Sequence, residues 1–288
     1  MKLISGKEIA NEIIRDLGKK ISVLEGRRPG LAFILVGNDS ASKIYVGIKE
    51  KRCDQIGFYS KVIQLNENVQ QEDLLKTIDL CNKDQLIDGI IIQQPLPSHI
   101  DINAIIQAID PSKDVDGFHP INSGDLFLEN SNGFVPCTPL GIVTLLEKAK
   151  IETLGKHVVI IGRSNIVGKP LMALLLQKKY NCTVTVAHSK TINLPFICKQ
   201  ADILVSAVGK KDFIGKEMVK KDAIVIDVGI SRTKLGIVGD ANIKELKMHP
   251  CSVTPVPGGV GPMTIAMLME NVYKSFFEHK SNSSFNEN

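Results

Sequence analysis

Paired cysteines are missing. Cys53, Cys81, Cys137, Cys182, Cys198 and Cys251 never fall at C-x-x-C spacing, and the six histidines are equally scattered. Such wide spacing argues against a zinc site or a disulfide framework, so no metal is expected and a reducing compartment is. Long apolar runs are missing too. The longest are short stretches such as residues 171–176, well under the ~20 residues that span a bilayer. Residues 1–14 mix charged and apolar side chains without a signal-peptide core. A cytoplasmic protein with no membrane partner is the expectation. Charge of one sign is scarce: 35 Lys+Arg against 31 Asp+Glu leave a net +4, and aromatics are 5%. There is no basic patch and no stacking cluster to receive nucleic acid, although a mild positive balance suits a small polyanion. What is present, 43% hydrophobic and 23% charged residues over 288 positions, excludes a disordered chain or a rod and leaves one or two globular domains.

Short apolar runs alternate with amphipathic stretches. Ile9, Ile13, Ile14, Leu17 and Ile21 recur at helical spacing. The pattern predicts strands over 31–36, 60–65 and 89–92, with helices over 42–55 and 71–82 between them. This βαβ rhythm implies a parallel sheet with helices outside. A turn-rich stretch, 110–136, follows. Thr138-Pro139 reads as a helix start with Thr138 as N-cap. The rhythm then restarts, with strands over 158–161, 183–187, 203–207 and 223–228. The expected architecture is α/β in two domains: 1–138, and a Rossmann-type doubly wound parallel sheet over 139–261. A last helix over 262–277 returns to the N-terminal domain, and 281–288 read as a disordered tail.

In the second half, strand 158–161 runs into GRSNIVGKP, residues 162–170, and then into an apolar helix. Strand, glycine turn and helix is the geometry that sets a phosphate on a helix N-terminus. Gly162 would permit the tight turn and Gly168 close backbone approach. The spacing is neither G-x-G-x-x-G nor a P-loop, since five residues separate the glycines and Pro170 follows Lys169. By itself it is also compatible with a plain βα turn. After the next strand, where an NAD site would carry an acid for the ribose hydroxyls, the chain has His188, Ser189, Lys190 and Thr191. A hydroxyl and a cation, with Arg163 nearby, suit a 2′-phosphate, which points to NADP.

In the first half, Tyr45 and Lys49 are four apart on one predicted helix and share a face. Short-chain dehydrogenases use a Tyr-x-x-x-Lys pair after their nucleotide motif, whereas here it precedes that motif by more than a hundred positions. Gln93 and Gln94 end a buried strand, at the edge where parallel sheets collect ligands. Asp116 precedes Gly117, which alone reads as an Asp-Gly turn. Cys137 alone reads as a small buried hydrophobe. The run PVPGGVGPMT, residues 255–264, fixes a rigid loop whose glycines let backbone lie close to a ligand.

Taken in order, SASKIYVGIKEK, GIIIQQPLP, KDVDGFHP, PCTPLG, GRSNIVGKP, TVTVAHSKT and TPVPGGVGPMT resemble the bifunctional methylenetetrahydrofolate dehydrogenase/cyclohydrolase family over residues 1–275. At 288 residues the chain is too short to include the formyltetrahydrofolate synthetase region of the trifunctional relatives. The resemblance implies an N-terminal folate-binding catalytic domain and an NADP-binding domain. It assigns Lys49 as the catalytic lysine, Tyr45 as the ring that stacks on the folate, with Ser42 in the same motif, and Gln93 as the partner of the lysine. Gln94 takes a position often apolar in the family. The resemblance further implies that Asp116 holds the pterin, that Pro257, Gly258 and Gly259 border the folate, and that Gly162, Arg163, Ser164, Ser189 and Ile230 bind the cofactor. A homodimer acting on tetrahydrofolate derivatives is implied as well. Hydride transfer from a methylene carbon between two nitrogens needs alignment, whereas hydrolysis of the methenyl cation needs a proton handler such as Lys49. A monofunctional dehydrogenase is the alternative. A non-catalytic NADP-binding regulator would be expected to lose Lys49, Gln93 or Asp116, and all three are present.

Overall fold

The computed structural model describes residues 1–130, 132–234 and 236–285. In chain order its elements are β1 (Lys2–Leu3), α1 (Gly6–Ser22), β2 (Gly30–Val36), α2 (Ser40–Ile56), β3 (Tyr59–Leu65), α3 (Gln71–Lys83), β4 (Gly89–Gln93), α4 (Ile102–Ala108), α5 (Pro120–Phe127) and α6 (Cys137–Lys148). There follow β5 (His157–Ile161), α7 (Gly168–Leu176), β6 (Thr183–Ala187), α8 (Leu194–Cys198), β7 (Ile203–Ser206), β8 (Ile224–Asp227), β9 (Ser231–Thr233), β10 (Gly236–Val238), α9 (Ile243–Leu246), β11 (Ser252–Val253) and α10 (Val260–Phe285). The chain forms two compact units: residues 1–11 with 136–267, and 12–135 with the residues from 268 on.

The second of these units is built on a three-stranded parallel sheet in the order β3-β2-β4. Every residue of β2 is buried, as expected for a central strand covered on both faces. Ala32, Ile34 and Val36 pack with Leu74, Ile78 and Ile105. The chain leaves β2 for β3 on one side and then crosses to β4 on the other. Right-handed crossovers in opposite directions put α2 and α3 on opposite faces and open a switch point between the carboxyl ends of β2 and β4.

The other unit repeats the device on a larger scale. Six of its strands form one sheet in the order β1-β11-β8-β7-β5-β6, with every pairing parallel, and β9 and β10 form a separate antiparallel hairpin. From β5 the chain goes outward to β6 and then returns past β5 to β7, so the switch point lies between β5 and β7. Val159, Ile161, Leu204 and Val225 are fully or almost fully buried in its core.

Two local expectations differ from the structure. Thr138 is not the N-cap of α6. Pro136 holds that position without a side-chain cap, and the Thr138 hydroxyl lies 3.0 Å from that of Thr264. Pro139 then falls in the first turn, where a missing N–H costs nothing. The last helix begins at Val260, with Pro262 in its first turn, and continues to Phe285. The expected disordered tail therefore falls partly on this helix, and its final residues, 286–288, lie outside the described residues. Ahead of the helical repeat that begins at Ile9, Lys2 and Leu3 form a strand pairing with Ser252 and Val253.

Candidate active site

In the three-stranded unit, Asp39 caps α2 by accepting the N–H of Ser42 at 2.7 Å. Ser42 is buried, and its hydroxyl donates to the carbonyl of Gln94 at 3.3 Å. That bond ties the start of α2 to the end of β4. Ser42, Tyr45 and Lys49 follow at helical spacing along one face, with Tyr45 and Lys49 half-buried. Lys49 Nζ donates to Gln93 Oε1 at 3.3 Å. Gln93 Nε2 donates to the Gln94 carbonyl at 2.8 Å, which fixes the amide so that its oxygen faces the lysine. The partner is a neutral amide, so the amine is oriented without being locked into an ion pair. This pair stands at the β2/β4 switch point.

Asp116 is half-buried in the turn before α5. Together with Asp114, Gln94, Ile92, Ile106 and Phe118 it lines a small pocket partly open to solvent. Its neighbour Asp114, which the sequence reading passed over, organises the turn. Asp114 is buried and accepts from the His119 N–H at 2.7 Å and from Asn122 Nδ2 at 2.9 Å. Gly117 takes a φ of 73°, in the left-handed region that favours glycine. The D-x-D-G spacing was the available signal: Asp114 builds the turn, and both acids line the pocket.

In the six-stranded unit, Gly162 follows β5 with a φ of 124°, and a side chain there would press on the Ala207 carbonyl. The turn thus sits at the β5/β7 switch point. A side chain on Gly168 would overlap the Gly162 carbonyl, so Gly168 serves the closeness of turn to helix. The Gly162 N–H donates to the Ala187 carbonyl at 2.9 Å, bringing the segment with Ser189 beside the turn. Ser164 accepts from the Val167 N–H at 3.2 Å, while Arg163 and Ser189 are exposed. No side chain caps the start of α7; the Lys169 N–H donates to the Ser164 carbonyl at 3.1 Å, and the positive end of the helix dipole faces the turn, where it favours an anion. Ile230, 47% exposed, lies in the segment after β8. A glycine cradle and an uncapped helix start at a switch point fit a dinucleotide.

Pro257, Gly258 and Gly259 precede α10 in the same unit. Gly258 has a φ of 109° and its carbonyl accepts the Lys7 N–H at 2.8 Å. A side chain on Gly6 would overlap the Gly259 carbonyl, so the loop is packed against the start of α1. The cysteines are free and buried. Burial pushes the Cys53 and Cys198 thiols up to about 12, which removes them as nucleophiles. Among the described residues no cluster of His, Cys, Asp and Glu could hold a metal, and no helix is long and apolar enough to cross a membrane.

Two α/β units, one with a dinucleotide cradle and one with an oriented lysine–amide pair, define a nicotinamide-cofactor enzyme of Rossmann type. Residues 4–116 match the family described as Tetrahydrofolate dehydrogenase/cyclohydrolase, catalytic domain, and 136–280 its NAD(P)-binding domain; the chain belongs to this family. It is 51% identical over 277 residues to the bifunctional protein FolD of Halothermothrix orenii, covering 95% of this chain and 97% of that one. The crystal structure of the bifunctional FolD dehydrogenase/cyclohydrolase of Campylobacter jejuni superposes with a TM-score of 0.93 at 46% identity, over 96% of this chain and 99% of that one. A Trypanosoma brucei dehydrogenase-cyclohydrolase, complexed with NADP cofactor and inhibitor, matches with a TM-score of 0.90 at 36% identity, over 96% and 97%.

Proposed function

We propose that this chain oxidises 5,10-methylenetetrahydrofolate with NADP and hydrolyses the resulting 5,10-methenyltetrahydrofolate to 10-formyltetrahydrofolate. The observation that carries this reading is the Lys49–Gln93 bond at a switch point, in a chain that matches the bifunctional family in both halves. The lysine–amide pair belongs to the three-stranded unit and the glycine cradle to the six-stranded one.

When bound, the cofactor accepts the hydride from the methylene carbon. Gly162, Arg163, Ser164, Ser189 and Ile230 hold it, and Tyr45 stacks on the folate ring. Asp116 accepts hydrogen bonds from pterin N–H groups, and Pro257, Gly258 and Gly259 border the folate. Loss of hydride leaves a methenyl cation shared by two folate nitrogens. In the second step water adds to that carbon and one of its protons is released; the bond to one of the two nitrogens then breaks as the remaining hydroxyl proton passes to that nitrogen and the carbon becomes a formyl group. Lys49, aimed by Gln93, moves that proton at Nζ. Ser42 helps by fixing α2 against the end of β4. A monofunctional dehydrogenase would have no use for an amine held in this way.

The cofactor is NADP rather than NAD. No acid stands in residues 188–191, Ser189 and Arg163 are exposed, and the Trypanosoma brucei relative was solved with NADP. Ser189→Asp sets a carboxylate against a 2′-phosphate. It should lower kcat/KM with NADP by roughly tenfold or more and leave NAD turnover near the parent's, as expected for one lost charged contact. Equal kcat/KM for NADP and NAD in the parent contradicts the assignment. The protein is a cytoplasmic homodimer: free buried cysteines suit a reducing compartment. The edge strand β6, followed by Ile192 at 88% and Phe196 at 62% exposure, suits a second copy.

A further inference from the structure

The carboxyl ends of β7 and β8 carry a polar cluster that the reaction described above does not use. Asp227, the last residue of β8, is 2% exposed, and Asp240, on the return from the β9–β10 hairpin, is 0% exposed. Asp240 Oδ2 accepts from Ser206 Oγ at 2.7 Å and from the Val208 N–H at 3.0 Å, and its Oδ1 accepts from the Lys210 N–H at 2.7 Å. Asp227 Oδ1 accepts from the N–H groups of Gly229 at 3.2 Å and Asp240 at 2.9 Å, and its Oδ2 from Ala241 at 2.8 Å. Glycines make room for both groups: a side chain on Gly229 would overlap the Asp240 carboxylate, and one on Gly239 that of Asp227. The Ser231 hydroxyl adds a bond to the Gly209 carbonyl at 3.0 Å. Hydrogen bonds to a carboxylate are about twice as strong as neutral ones, so three segments are fastened as one body: 207–210, 228–230 and 239–241. Two of these carry groups of the cofactor site, Ala207 against Gly162 and exposed Ile230.

We propose that Asp240, backed by Asp227, is a positioning residue of the cofactor site: it holds the segments that follow β7 and β8 in the conformation that receives the dinucleotide. The proposal rests on the NADP reading above. It is tested on the full chain with Asp240→Asn and Ser206→Ala, by calorimetric titration of NADP and by initial rates with methylenetetrahydrofolate. Asn keeps the size of Asp but cannot accept at Nδ2, so at least one donor is left unmatched. NADP Kd and KM should rise roughly tenfold or more, the size of one hydrogen bond to a charged group. The kcat at saturating NADP should fall much less, since uniform binding is what is lost. Ser206→Ala removes one donor without touching the backbone and should weaken NADP in the same direction by a smaller factor. If Asp240→Asn does not fold, Ser206→Ala decides. A folded variant that melts earlier yet keeps the parent's NADP affinity shows a merely structural role and overturns the proposal. A parent protein that binds no NADP overturns the function itself.

Discussion

At the scale of single residues, the hydrolytic step rests on Lys49. Lys49→Met keeps much of the length and apolar stem and removes the nitrogen that donates to Gln93. A positioned general acid–base group is worth roughly a hundred- to ten-thousand-fold, so enzymatic hydrolysis of supplied methenyltetrahydrofolate should fall by at least that order. Dehydrogenation, which depends on alignment, should fall less. A folded Lys49→Met that hydrolyses within about threefold of the parent, well inside that range, removes the lysine from the reaction. Gly168→Ala probes the cofactor turn in the same spirit. The added methyl meets the Gly162 carbonyl, so the turn must shift at a cost of about 1–3 kcal/mol. NADP affinity should drop roughly tenfold, which calorimetry reads directly; unchanged affinity would show that the turn yields freely. These residues were legible because chemistry and spacing coincide in one motif each. Asp114 and Asp240 were not, because a buried carboxylate that accepts backbone N–H groups looks, in sequence, like any turn acid.

At the scale of elements, burial pushes the Asp227 carboxyl from its ordinary 3.8 up to about 6. Hydrogen bonds from Ala241, Asp240 and Gly229 pull it down, and the Asp240 carboxylate facing it pushes it further up. An acid whose folded value lies above its unfolded one binds its proton more tightly in the native chain. Its contribution to stability is therefore fullest below the unfolded value and declines as pH rises through about 6. A rise of about two units corresponds to about 3 kcal/mol. The difference in unfolding free energy between the parent and Asp227→Asn should shift against the parent by up to that amount between about pH 4 and 6.5. Parallel curves would show that the carboxyl does not hold its proton in the fold. The parallel strands were readable because continuous apolar runs such as residues 30–36 are what a sheet covered on both faces demands. The pairing of β1 with β11 and the hairpin of β9 and β10 were missed, since strands of two or three residues leave no periodicity to detect. Thr138 was misread because its residue type suits a cap, while Pro136 and a partner at Thr264, 126 positions away, decide the local geometry.

At the scale of the whole molecule, two sheets of different size place their chemistry by the same rule. Each chain path reverses direction about one strand, β2 in one sheet and β5 in the other, and each reversal opens a crevice at the carboxyl ends: Lys49 and Gln93 in one, Gly162 and Ala207 in the other. The parallel α/β class followed from the strand–helix rhythm, but the strand order, and with it the location of the crevices, depends on long-range pairing that no local pattern encodes. One chain carries both reactions. Purified protein is given methylenetetrahydrofolate and NADP, and the absorbance of the methenyl product is followed alongside that of NADPH. NADPH should accumulate while the methenyl signal stays low, and methenyltetrahydrofolate supplied alone should disappear far faster than in buffer. NADPH formed in step with a methenyl species that decays only at its spontaneous rate would contradict the account and leave a dehydrogenase without hydrolysis.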